Sequence, residues 1–505
     1  MGDTKRVWTL PYIRQCWVTA GVSLNMAGSG LVVGFTPALL QQLRAATSDI
    51  PIDPGAASWI AAMPGLSLAL GNLSAPPVMA RYGRKVANIV SIVLFIVAWA
   101  FVYVAGDVTA LLLARFLQGL CMGMCTSISS LLIGEYTSPK YRGAFLMTIS
   151  VSIAFAVMCV HLSGSYLSYW HTALVCGAIA VIDLLIVINS PESPAWLAEK
   201  GKLDACKRSF RWLRGNEEED ELTKLIEASI LLNEINARTN KPKSFVIKVR
   251  NKMEYFKLTL KKKVFIKPIV IMIHLYVMGQ WSGINMLVAF PIDLFQGMLG
   301  DAPINVPLLL LSLDIHRLIA NTAALYVIQK VKRRTILLIT VCINILALLS
   351  CAGYSYAKSE QYISSEEYIL GISLVHVHMF SAATGCLPLS FIIAGEVFPL
   401  EYRSLAGGVS VFFYSMNLFV TVKTVPLLLD SVRVHGTYTL YAGTLAFGLA
   451  VLWYMLPETK DRTLQDIEDE FRGRPLSPEE LKSVQSLTSW KSYTTDRRCS
   501  GPVVA

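Results

Sequence analysis

Two decapeptides set 261 residues apart carry the same ionisable side chains at the same spacing. GEYTSPKYRG (Gly134–Gly143) puts Glu135 seven residues before Arg142, and GEVFPLEYRS (Gly395–Ser404) puts Glu396 seven before Arg403. ARYGRK, with Arg81 and Arg84, is followed 249 residues later by QKVKRR, with Lys330, Arg333 and Arg334. PESP, with Glu192, is followed 266 residues later by PETK, with Glu458. Three ordered matches at nearly one offset mark an internal duplication. Carboxylates and guanidiniums in this pattern do not form a nucleophile–base–acid set, and no loop carries one, so the chain is not read as an enzyme. What they can do is pair and part. An exposed pair contributes only about 1 kcal/mol, which suits a latch between states that differ by a few kcal/mol. Anchoring helix ends at a polar boundary is the plainer use of each charge alone.

A second polar group lies inside an apolar run. GQWSGIN places Gln280, Ser282 and Asn285 within two helical turns, beside Gly279 and Gly283. Amides donate and accept at once, as hydroxyl-rich solutes require, and the glycines loosen the helix. Amides can also simply join helices to one another. In LSLDIHRLIANTAALYVIQK, Asp314, His316 and Arg317 crowd together. Arg317 lies twelve residues before Gln329, about 18 Å along a helix. That is near the middle of a membrane, where an exposed arginine costs about 3 kcal/mol. Asp314, three residues away, could neutralise it on one face. The other reading is a guanidinium in a cavity, favouring a polyhydroxylated or anionic solute.

These groups need a scaffold, and composition says which kind. Of 505 residues, 54% are hydrophobic and 16% charged, with mean hydropathy +0.50. Twelve apolar runs, at about 17–40, 57–79, 86–105, 109–133, 144–167, 170–189, 269–295, 304–328, 335–355, 369–394, 405–429 and 436–456, are long enough to cross a bilayer. The expected fold is an all-α membrane protein of two six-helix pseudo-repeats, 17–190 and 268–456. A cytosolic N-terminus (1–16), a cytosolic helical linker (191–267) and a cytosolic tail (457–505) complete it, the tail polar and disordered beyond about 473. In the linker, LTKLIEASILLNEI carries apolar residues at helical steps. Lys and Arg cluster after the second, fourth, sixth and eighth runs, which puts both termini in the cytosol. The net charge of +10 follows from that topology and does not imply nucleic acid. No cleavable signal peptide is evident, and the first apolar run is too long for one. The sequon Asn72-Leu-Ser74 falls inside the second run. Ten cysteines are scattered mainly through the runs as small hydrophobes, and His376 and His378 face different sides of a helix, so no metal site is expected. No Walker-type loop for ATP is present, and no cofactor is expected.

RFLQG (Arg115–Gly119), GEYTSPKYRG, PESPAWL, GQWSGIN, GEVFPLEYR and PETKDRTLQDIEDEF together resemble the sugar porter family of the major facilitator superfamily, from about residue 15 to 472. Within it the chain looks most like insect facilitated trehalose and sugar transporters, on IPIDPGAASWI and VTVKTVPLLLDSVRVHG. The resemblance implies facilitated diffusion of a hexose or trehalose-type sugar by alternating access, by a monomer in the plasma membrane. It also implies sugar contact at Gln280 and Asn285, and puts Phe391 at the family's stacking tryptophan, Tyr414 at a span 11 asparagine with Asn417 nearby, and Arg317 at a sugar-binding asparagine. Gly279 and Ser150 replace family glutamines, and Ala80 and Gln329 replace loop acids, which leaves Glu135, Glu396, Glu192 and Glu458 as partners for the latch arginines. The span 1 aspartate of proton-coupled members is missing from GSGLVVGFTP (Gly28–Pro37). A different solute, or a sensor that binds sugar without turnover, are the other readings.

Overall fold

The computed structural model describes residues 10–216, 218–239, 263–300, 305–363, 367–398, 403–460, 462 and 464–473. Within them the chain is helical, with eleven stretches long and apolar enough to cross a membrane. The last stretch holds two spans, because the helix Arg403–Met455 turns at Arg433, whose φ is +57°. Twelve spans result, as the apolar runs predict.

In the first half, spans 1 to 6 are Leu10–Leu43, Pro54–Tyr82, Arg84–Val104, Val108–Tyr136, Pro139–Tyr166 and Tyr169–Ile188. Span 7 comes in three pieces, Lys263–Gln280, Ile284–Ala289 and Pro291–Leu299. Spans 8 and 9 are Val306–Lys330 and Arg333–Ser359. Span 10 joins Tyr368–Ser381 to Leu387–Val397 through a π turn, Ala382–Cys386. Spans 11 and 12 flank Arg433. Local sequence fixes several starts: Asp53, Asp107 and Asn305 accept from the backbone N–H groups of Ala56, Ala110 and Leu308, capping spans 2, 4 and 8. Span 1 begins earlier than its apolar run, at Leu10, because polar Gln15 is buried, donating to Ser138 and accepting from its backbone N–H.

Glycines bring spans 1 and 5, and spans 2 and 4, to backbone contact: a Cβ on Gly30, Gly71 or Gly123 would overlap a neighbouring carbonyl. The halves meet along spans 5 and 8, spans 2 and 11, and spans 1 and 7. A Cβ on Gly65 of span 2 would come within 2.9 Å of the Phe419 nitrogen on span 11. The end of the bundle carrying Arg84 and Arg333 is called here the basic end, and the opposite one the far end.

Short helices follow span 6: Pro194–Glu199, Leu203–Arg214 and Glu219–Thr239, the last covering the expected amphipathic stretch. Trp196, Leu197, Phe210 and Leu222 form a small core of their own. Arg214 ties that core to the first half by donating to the Thr137 carbonyl at 2.9 Å. The helix Leu464–Arg472 buries Ile467 and Phe471 against the second half. The expected disordered tail beyond 473 and the first nine residues lie outside the described residues.

Candidate functional site

Span 7 leaves the helix at Trp281–Gly283, between its glycines, and Gly283 has φ +92°. The break brings Asn285 Nδ2 to Gln280 Oε1 as a hydrogen bond. Gln280 is fully buried, and its Nε2 has no hydrogen-bond partner among the described residues. The Tyr414 side chain lies beside this amide. Its ring stands edge-on to Tyr276 (centroids 5.2 Å apart) and to Phe391 (5.5 Å), and Phe391 is 54% exposed. Amides thus sit beside aromatic faces, the pairing a ring with hydroxyls needs.

The other predicted site residues stand apart from this pair. Asn417 is held by span 7, accepting from Trp281 Nε1 and donating to the Tyr276 carbonyl, both at 3.1 Å. Ser282 turns its hydroxyl onto the Gly279 carbonyl at 2.8 Å. Arg317 does not pair with Asp314 as the spacing allows: Asp314 Oδ2 meets His161 Nδ1 of span 5 at 2.6 Å instead. Both partners are buried, so the carboxylate is taken by the opposite half. Arg317 Nη1 is buried without a hydrogen-bond partner.

The first half supplies a facing group that the spacing arguments passed over. Arg115 donates to the carbonyls of Ile60 and Val32, each at 3.0 Å, to Gln118 Oε1 at 2.8 Å and to Thr36 Oγ1 at 2.6 Å. Pro64, four residues beyond Ile60, has no N–H to offer that carbonyl, so the guanidinium fills the gap. RFLQG was visible in the sequence, but the proline's demand lay in another span. Arg115, Thr36 and Asn285 line a cavity of about 30 Å3 between the halves.

At the basic end the duplicated charges build the same circuit twice. Glu192 accepts from the backbone N–H groups of Arg84 and Lys85 (3.0 Å each), and Glu458 from those of Arg333 (3.0 Å) and Arg334 (3.2 Å). Each carboxylate therefore caps the span that follows a basic motif. Glu135 lies 3.5 Å from Arg84 and accepts from Ser193; Glu396 lies 3.1 Å from Arg333 and accepts from Thr459 at 2.6 Å. Ser193 and Thr459 were missed in sequence, although each directly follows its motif's glutamate. Arg81 stacks on Tyr82, Lys330 on Tyr326, and Arg334 donates to the Trp453 carbonyl. Arg142 Nε finds no hydrogen-bond partner, and the Arg403 side chain lies outside the described residues. Replacing Glu458 by alanine should cost about 1 kcal/mol of stability, as loss of a helix cap does, read as a lower melting point of the purified protein.

Every described polar contact between the halves lies away from the basic end. Arg44 of span 1 meets Asp293 of span 7 at 2.8 Å. Lys423 of span 11 donates to Ser58 of span 2 at 2.5 Å and lies 4.2 Å from the centre of the Trp59 ring. His161–Asp314 joins spans 5 and 8. A far-end recess of about 540 Å3, lined by Arg44, Asp293, Gln296, Ser355, Asp430 and Arg433 among others, borders the first pair.

Two six-span bundles with a repeated charge circuit, and a broken helix carrying amides at their seam, define the architecture of a secondary transporter. The chain belongs to the family described as Sugar (and other) transporter, which it matches over residues 22–471. It is 25% identical over 479 residues to the facilitated trehalose transporter Tret1 of Drosophila mojavensis, covering 94% of this chain and 53% of that one. Against Tret1 of Apis mellifera ligustica it is 25% identical over 474 residues, covering 93% and 91%. The chain thus spans about half the length of the Drosophila relatives it matches. Among solved structures, the inward-open xylose transporter XylE of E. coli superposes with TM-score 0.71 at 16% identity, covering 90% of this chain and 99% of that one. The proton:xylose symporter XylE bound to 6-bromo-6-deoxy-D-glucose gives 0.69 at 17%, covering 91% and 99%. At these identities the likeness shows the fold.

Proposed function

We propose that the chain is a facilitative transporter of a hexose or trehalose-type sugar. It works by alternating access as a monomer in the plasma membrane, with the basic end and both termini in the cytosol. The observation that carries this reading is the free Nε2 of buried Gln280, beside Asn285, Tyr414 and Phe391 at the break of span 7. A sugar hydroxyl would accept from that donor, and Phe391 offers its exposed face to the ring. Cross-half contacts gathered at the far end support an inward-facing state, in which solute leaves towards the basic end. The absence of an ionisable group from Gly28–Pro37, and the relatives named facilitated trehalose transporters, favour passive transport.

Uptake of labelled glucose and trehalose into oocytes at two external pH values tests the proposal. Saturable, pH-indifferent uptake that equilibrates without accumulating is expected. Silence towards both sugars from protein at the cell surface would overturn it. Gln280→Ala should raise KM about tenfold, the loss of one buried hydrogen bond to solute, with surface level unchanged. The unpartnered Nη1 of Arg317 favours one second reading, an anionic polyhydroxylated solute, for which uptake of a labelled uronic acid is the check.

A further inference from the structure

Gln280 and Asn285 are five residues apart, and on an unbroken helix that spacing turns side chains about 140° from each other. They bond because span 7 is broken between them. What holds the break open is therefore part of the site. The Ser282 carbonyl, turned out of the helix, takes His378 Nε2 of span 10 at 2.8 Å and Asn344 Nδ2 of span 9 at 3.1 Å. Asn344 Oδ1 in turn accepts from Ser381 at 3.2 Å. His378 and Asn344 are completely buried. A bond to a carbonyl requires the proton on His378 Nε2, so the neutral ring leaves Nδ1 bare, in keeping with its having no donor in reach. The ring occupies the space that a Cβ on residue 283 would need, so the left-handed glycine and the histidine fit only together.

We propose that His378 and Asn344 are positioning residues for transport, a clamp on the Ser282 carbonyl that keeps span 7 broken and so keeps the Gln280 and Asn285 amides converged on the solute. This rests on the reading of those amides as the sugar site. Neither residue touches the solute itself. Without the clamp, the backbone around Ser282 gains by returning to helix, and the amides swing apart.

The test compares His378→Gln, which keeps an N–H at similar reach, with His378→Leu, which has none, and His378→Asn, which is too short. Two readouts are taken on the full chain: KM and surface-normalised Vmax for the transported sugar, and hydrogen exchange of amides 281–285 in purified protein. The leucine and asparagine variants should raise KM about tenfold while Vmax stays within about twofold, and the glutamine variant should restore KM to within about twofold. Exchange should change in the leucine and asparagine variants and stay at the parent rate in glutamine. An unchanged KM, or a fall confined to Vmax or surface level, would overturn the clamp while leaving the sugar site standing. If the parent moves no sugar and Gln280→Ala is silent, the sugar reading fails, and exchange alone decides: identical rates in all variants overturn the clamp, and rates that follow the donor sustain it. The asparagine variant keeps the test alive if leucine does not fold.

Discussion

Asp314→Ala should shift the protein towards the state open at its far end. The substitution leaves His161 buried without the carboxylate that meets it at 2.6 Å, and the partners sit on opposite halves. The stranded imidazole loses its buried hydrogen-bond partner, which costs about 1–3 kcal/mol. The cost falls on the conformation that holds the pair buried, because parting the halves gives the imidazole access to water. A shift of that size changes the ratio of states by about fivefold to a hundredfold. A cysteine at Ser355, buried at the wall of the far-end recess, reports it: an impermeant thiol reagent applied outside cells should label it faster in Asp314→Ala than in the parent. Equal labelling would mean that the pair does not discriminate between states. Replacing both partners by leucine should move the labelling rate less than the single change, since no polar group is then stranded.

Arg115→Leu is expected to lower stability and surface delivery more than any change at the basic end. Four hydrogen bonds leave together, from a residue 1% exposed. Each buried partner left unmet costs about 1–3 kcal/mol. The Ile60 carbonyl is the worst affected, because Pro64 deprives it of a backbone donor. Lysine should rescue only in part, since an ammonium cannot reproduce a planar fork aimed at spans 1, 2 and 4 at once. Melting of the detergent-purified variants, with cell-surface labelling, checks the order parent, lysine, leucine. A leucine variant as stable as the parent would remove Arg115 from the account of why the first half holds together.

Much of this was legible in the chain. Apolar run lengths gave twelve spans, and the duplicated motifs gave two halves, because a membrane restricts the backbone to helices of one length. The glycines beside Gln280 marked where span 7 yields. Less legible were groups whose partners lie far off in sequence. Asp314 looked like a neighbour for Arg317 three residues away, yet its partner stands 153 residues away on span 5, a pairing that helix spacing cannot express. Ser282 was read for its hydroxyl, but its carbonyl is the group that the neighbouring spans grip. His378 was weighed only against His376, although the two serve separate contacts, to Ser282 and to His316.

The three far-end ties differ in depth, and that sets an order of events. Arg44–Asp293 is about one-third exposed, and Lys423 is only partly covered, whereas His161 and Asp314 are shut in. Exposed side chains swap partners in nanoseconds or less, so the first two ties flicker open many times without consequence. Water reaches the third only after the spans themselves have begun to part. In the proposed transport cycle the seam would therefore part from the rim inward, with the His161–Asp314 pair the last to open. Substitution at that inner pair is then expected to change the rate of the proposed cycle more than substitution at the rim.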